Sequence, residues 1–167
     1  MSISHPRPPG TGAAPTGTTS GACTTADGLD ELVCFDLYAA SRSVTAAYRP
    51  VLSELGLTYP QYLVLVVLWD RGACSIKHLA STLRLDHATL TPLLRRMEEA
   101  GLLVRERSLI DERSVTVRLT GRGDSLRDVR EGVRCHIADL LGLDVDQVDA
   151  LQGLLRQVSA NLADRAV

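Results

Sequence analysis

SIKHLASTLRLDHATLTPLLRRMEEAG, residues 75–101, contains two helical patterns separated by two or three residues. In the first, Ile76, Leu79, Ala80 and Leu83 recur at i, i+3, i+4 and i+7 behind Ser75, whose hydroxyl can accept from a free backbone N–H of the first turn. In the second, Leu90, Leu93, Leu94 and Met97 keep that spacing behind Asp86, and Gly101 ends it. Two short amphipathic helices joined by a tight turn form a helix-turn-helix. Pro92 removes a backbone donor from the second helix. Its position predicts either a kink there or a helix that starts at Thr91, with Pro92 as the first helical residue.

Downstream, 102–107 and 114–119 read as two strands. Val115, Val117 and Leu119 alternate with Thr116 and Arg118, as on a half-buried strand. The charged link 108–113 makes a hairpin tip, and helix-turn-helix plus hairpin is a winged helix. Upstream, Thr58 and Gln61 have capping-box spacing, with Pro60 in the first turn of a helix running to about Asp70. That helix is apolar on all sides and is expected at the buried centre. A helix from 30 to about 55 precedes it. Two amphipathic helices close the chain, from Thr120 to Leu141 and from Asp144 to about Ala163, the last striped by Val148, Leu151, Leu155, Val158 and Leu162.

The fold class is therefore mainly α with a small β-wing (α+β), a winged helix-turn-helix with an N-/C-terminal helical dimerisation bundle. Residues 1–28 are rich in Pro, Gly, Ser and Thr and are expected to be a disordered tail. Residues 29–167 are expected to form one domain, with a DNA-binding lobe at about 58–120 and dimerisation helices at about 29–57 and 121–167.

The net charge of −2 argues against indiscriminate binding to nucleic acid. The charges are unevenly placed, however, and seven arginines fall between Arg84 and Arg118, so a local DNA-binding face remains open. His87, Thr89 and Thr91, with Pro92 beside them, stand where short polar groups reach base edges, and Arg95 and Arg96 where phosphates are gripped. Arg113 at the hairpin tip suits a minor groove, held in pose by Asp111. The longest apolar run, 62–69, is too short to span a membrane, for which roughly 20 residues are needed. No h-region of a signal peptide is present. Cys23, Cys34, Cys74 and Cys135 have no metal-site or disulfide-scaffold spacing, so a cytoplasmic protein with reduced thiols, no metal and no cofactor is expected.

All four tyrosines, Tyr38, Tyr48, Tyr59 and Tyr62, lie within 28 residues after Cys34. Phenol donors aimed at a sulfur favour its reactive thiolate form. On a helix Tyr38, Ser41, Thr45 and Tyr48 all point within about 40° of Cys34, a polar stripe where a core face would carry Leu and Val. Tyr38 is one turn from Cys34, but Tyr48 is four turns and roughly 21 Å away. A Tyr48 that touches a Cys34 must therefore touch that of another subunit.

The runs LVCFDLYAASR, LTYPQYLVLVVLW, TLTPLLRRMEEAGLL and DERSVTVRLT resemble MarR-family transcriptional regulators, and specifically the organic-hydroperoxide-sensing (OhrR-type) branch. The resemblance implies a homodimeric repressor of a double-stranded, pseudopalindromic operator. Organic hydroperoxide would be the signal and Cys34 the redox sensor. Tyr48 and Tyr59 would hydrogen-bond the sulfur from the dimer mate, and Tyr38 would line the same pocket. After the capping Asp the family usually has Ser-Gly. Here it is His87-Ala88, which leaves the operator's base preference open. In two-cysteine members a resolving cysteine sits on the penultimate helix, at a position that falls on Asp139. Cys135, one turn earlier on the polar side, is the candidate, and a small thiol is the alternative partner. A MarR-type regulator released by a small aromatic or phenolic ligand is a second reading, and a thiol peroxidase a remote third.

Overall fold

The computed structural model describes residues 29–107 and 115–164. Residues 1–28, with Cys23, and the wing tip, with Asp111 and Arg113, lie outside the described residues. The order is α1 (Val33–Glu54), α2 (Tyr59–Arg71), β1 (Cys74–Ser75), α3 (Ile76–Leu83), α4 (His87–Glu99), β2 (Leu103–Arg107), β3 (Val115–Leu119), α5 (Gly121–Ser125), α6 (Arg130–Leu141) and α7 (Val145–Ala163). One 3-10 turn, Leu29–Glu31, precedes α1, and another, Leu126–Val129, links α5 to α6.

The caps read from sequence form. The backbone N–H of His78 donates to the Ser75 hydroxyl at 3.1 Å, and that of Thr89 to the Asp86 carboxylate at 2.6 Å. The backbone N–H of Thr58 donates to Oε1 of Gln61 at 2.8 Å. Because Asp86 caps at His87, α4 runs unbroken through Pro92, and the alternative start at Thr91 is wrong. The Thr91 hydroxyl donates to the His87 carbonyl at 2.7 Å.

Helix α2 is the centre, contributing Val64, Leu65, Leu68 and Trp69, against which Leu90, Leu94 and Met97 of α4 pack. Each such side chain contributes about 1.5–3 kcal/mol when fully buried. The antiparallel sheet has the order β1-β3-β2, with Leu103 opposite Leu119 and Arg107 opposite Val115. The two-residue β1, Cys74 paired with Val117 and Ser75 with Thr116, is too short to show alternation in sequence. Among the described residues no single helix is long and apolar enough to cross a membrane.

The helix expected from Thr120 to Leu141 is instead broken into α5, a 3-10 turn and α6. A tertiary contact falls at this break: the indole N–H of Trp69 donates to the carbonyl of Gly123 at 3.1 Å. Gly123 also lies against Leu102, where a Cβ would stand 2.0 Å from the Leu102 carbonyl oxygen. Gly123→Ala is therefore expected to lower the unfolding free energy by about 1–3 kcal/mol, as overpacking does, measured by urea denaturation.

Helix α6 is tied to α2 by the Arg130–Asp70 ion pair, which holds the Asp70 carboxyl below the usual carboxylate range. A lowered folded-state pKa means that this pair stabilises at neutral pH and that its contribution is lost on acidification through that pKa.

Candidate functional site

Helix α4 presents His87, Thr89, Thr91, Pro92, Arg95 and Arg96 to solvent from one end of the molecule. Nε of Arg95 donates to Glu99 at 2.9 Å, whereas Arg96 has no ion pair among the described residues. Sequence reading missed the brace that sets this helix against the wing. The Arg105 guanidinium on β2 grips Glu98 on α4 at 2.5 and 2.8 Å, and the Arg105 backbone N–H donates to the same carboxylate at 3.0 Å. Arg105 holds the Glu98 carboxyl below its ordinary range. The partners are seven residues apart across a turn, outside any helical spacing, so only the alternating charge 98–107 could have hinted at it. On the wing itself Arg118 pairs with Glu106 across strands at 2.7 Å.

Cys34 is exposed in the first turn of α1. Tyr38, one turn on, is exposed, and its hydroxyl accepts from the Arg42 guanidinium at 2.9 Å. Tyr48, near the other end of α1, packs on Tyr59 of α2 with ring centroids 4.6 Å apart and on Tyr62 at 5.9 Å. Burial raises the phenol pKa of Tyr48, Tyr59 and Tyr62, so all three remain hydroxyl donors at neutral pH. One chain thus unites Tyr48 with Tyr59 but not with Cys34. Tyr62, which the sequence assigned no separate role, is a buried core residue.

Around Cys34 the surface is apolar. Val33 is 67% exposed, and Leu37, Leu151, Leu154, Leu155, Val158 and Leu162 are also uncovered. Helix α7 has no buried residue at all. A cleft of about 490 Å³ between α1 and α7 is lined by Val33, Leu37, Val44, Tyr59, Leu151 and Leu155, joining the Cys34 end of α1 to Tyr59.

Cys135 is exposed on α6 while Val133 and Ile137 are buried, and its thiol donates to Glu131 at 3.6 Å. Asp139 is exposed one turn on. Cys74 is half-buried on β1, and burial pushes its thiol up, with Arg71 opposing, which disfavours its reactive thiolate form.

The family described as transcriptional regulator SarA/Rot matches residues 46–129. The chain is 48% identical over 100 residues to the organic hydroperoxide resistance transcriptional regulator of Bacillus subtilis (strain 168), covering 60% of this chain and 68% of that protein. It is 40% identical over 131 residues to the HTH-type transcriptional regulator MgrA of Staphylococcus aureus, covering 78% of this chain and 89% of that one. Among solved structures it is similar to reduced AbfR bound to DNA, with a TM-score of 0.71 and 30% identity over 83% of this chain and 95% of that one. AbfR, from Staphylococcus epidermidis, has also been solved with its disulfide formed, with a TM-score of 0.56 and 32% identity over 81% of this chain and 90% of that one.

Proposed function

The chain belongs to the SarA/Rot family of MarR-like winged-helix transcriptional regulators, and from that premise we propose that it is a homodimeric repressor released from its operator when organic hydroperoxide oxidises Cys34. The observation that carries the proposal is the division of the sulfur site. Cys34 stands exposed at one end of α1 and the Tyr48–Tyr59 pair near the other, within a wide uncovered apolar face. A second copy seated on that face covers α7 and brings each Cys34 to the tyrosines of its mate. The similarity to an organic hydroperoxide resistance transcriptional regulator and to AbfR, solved with its disulfide formed, supports the same chemistry.

In the reduced dimer the two α4 helices enter successive major grooves, about 34–36 Å apart. His87, Thr89 and Thr91 face base edges, and Arg95 and Arg96 face phosphates. For Asp111 and Arg113, which lie outside the described residues, the proposed role is a minor-groove contact, as expected from the sequence. The sulfur of deprotonated Cys34 attacks the terminal oxygen of ROOH. The O–O bond breaks, an S–O bond forms, and the alkoxide leaves and takes up a proton as ROH. The sulfur has then lost two electrons and is a sulfenic acid. It no longer accepts from Tyr48 and Tyr59 as a thiolate does, and the dimer changes shape and leaves DNA. Condensation with the Cys135 thiol or with a small thiol gives a disulfide and water. Operator binding and a sulfur that must be returned to its thiol support a cytoplasmic location.

The test is an operator gel shift with and without an organic hydroperoxide, then with dithiothreitol. Release by oxidant that is reversed by reductant supports the proposal. Release by an aromatic acid under reducing conditions, with none by peroxide, would replace it with a ligand-binding regulator.

Two further outcomes are expected. Tyr48→Phe/Tyr59→Phe slows Cys34 alkylation and oxidation by at least about tenfold, since each charge-assisted hydrogen bond contributes about 1.5–3 kcal/mol. Unchanged rates would mean that these phenols do not reach the sulfur. Arg95→Ala/Arg96→Ala weakens operator binding and lowers the slope of log K against log salt by about 0.9 per lost phosphate contact, measured by titration at several salt concentrations.

A further inference from the structure

The chain has only six aromatic residues, four Tyr, one Trp and one Phe, and four of them touch in a row. Tyr59 packs on Tyr48 at 4.6 Å between centroids, Tyr48 on Tyr62 at 5.9 Å, and Tyr62 edge-on against Trp69 at 6.0 Å. The row begins at the half-buried tyrosine pair and ends in the core, where Tyr62 is 6% and Trp69 4% exposed. At its far end the Trp69 indole N–H donates to the Gly123 carbonyl at 3.1 Å.

What Gly123 touches gives the row its direction. The segment 120–123 is fastened to the turn between α4 and β2 by three hydrogen bonds. The Thr120 backbone N–H donates to the Leu102 carbonyl at 3.1 Å, the Thr120 hydroxyl to that of Gly101 at 2.6 Å, and Arg122 to that of Ala100 at 2.9 Å. The missing side chain at position 123 lets the backbones meet. A shift of Gly123 therefore moves the point where the DNA-facing helix passes into the wing. Close-packed rings in a core transmit displacement, because there is no free volume to absorb it.

We propose that Trp69 is a positioning residue, the link by which a change at Tyr48 and Tyr59 reaches Gly123 and tilts α4 and the wing. The inference rests on Cys34 being the sensor, and it adds the route by which that sensor governs DNA affinity. The competing route is α1 itself, which packs on α6 and so moves the flanking helices without passing through α2.

The experiment separates oxidation from release. Wild type, Trp69→Phe and Tyr62→Leu are treated with cumene hydroperoxide. Cys34 sulfenic acid is then trapped with a dimedone probe, and operator Kd is measured in both redox states. Trp69→Phe keeps a ring in the core but deletes the indole N–H. Both variants are expected to oxidise Cys34 at the wild-type rate. Their ratio of oxidised to reduced Kd should fall at least about fivefold below that of wild type, the lower end of allosteric couplings. In wild type the emission of Trp69, the single tryptophan, should shift on oxidation, and should not shift in Cys34→Ser. Wild-type Kd ratios in folded variants, or an unmoved Trp69 emission in fully oxidised wild type, would overturn the link while leaving the sensor intact. Failure of wild-type Cys34 to form a sulfenic acid would overturn the sensor and, with it, the link.

Discussion

Cys34→Ser is expected to bind the operator with the affinity of reduced wild type and to stay bound at hydroperoxide concentrations that release wild type completely. Serine keeps a hydrogen-bonding atom of similar size at the position, but its hydroxyl is not a nucleophile toward peroxide at neutral pH. The substitution lies in the first turn of α1, at an exposed position and outside α4 and the β-wing, the elements proposed to contact DNA. DNA binding and sensing should therefore separate cleanly. The measurement is operator Kd by fluorescence anisotropy across a hydroperoxide titration. Residual release in Cys34→Ser would move the sensor to one of the other three cysteines, Cys23, Cys74 or Cys135.

Leu151→Glu/Leu155→Glu is expected to turn the dimer into a monomer and abolish high-affinity operator binding. The two leucines are 44% and 40% exposed, uncovered by any of the described residues. Full burial of a leucine contributes about 1.5–3 kcal/mol, so completing the burial of four such side chains in a twofold dimer adds about 2–5 kcal/mol. Their loss weakens dimerisation by on the order of a hundredfold, before the cost of burying four carboxylates. Light scattering should show a monomer with an unchanged helical circular-dichroism spectrum. A dimer of wild-type mass would place the interface elsewhere.

Helices α2, α3 and α4 were legible because their signals are local. Ser75, Asp86 and Thr58 cap within three residues, and the apolar spacing on either side of the turn has one periodicity. What was not legible depends on contacts distant in sequence. The break at α5 coincides with a contact from Trp69, 54 residues from Gly123, and a glycine that permits close approach looks like any other glycine in a sequence. The two residues of β1 are strand only because Val117 and Thr116 lie beside them. Pro92 was ambiguous because its ring fits both the first turn and, at a cost, the interior, and only the Asp86 cap decides between them. The helical rise separated Cys34 from Tyr48, and the two stand near opposite ends of α1. The same periodicity could not show that Tyr48 lies on Tyr59, which belongs to a different helix.

A sulfur site completed between two subunits is tested most directly by a mixed dimer, with one chain carrying Cys34→Ser and the other Tyr48→Phe/Tyr59→Phe. The only Cys34 then belongs to the chain without its tyrosines and faces the intact pair of its mate. Its oxidation rate, followed by mass spectrometry of the Cys34 peptide, is expected to equal that of wild type. A rate as slow as that of the Tyr48→Phe/Tyr59→Phe homodimer would mean that each sulfur depends on its own chain, and would contradict the shared site.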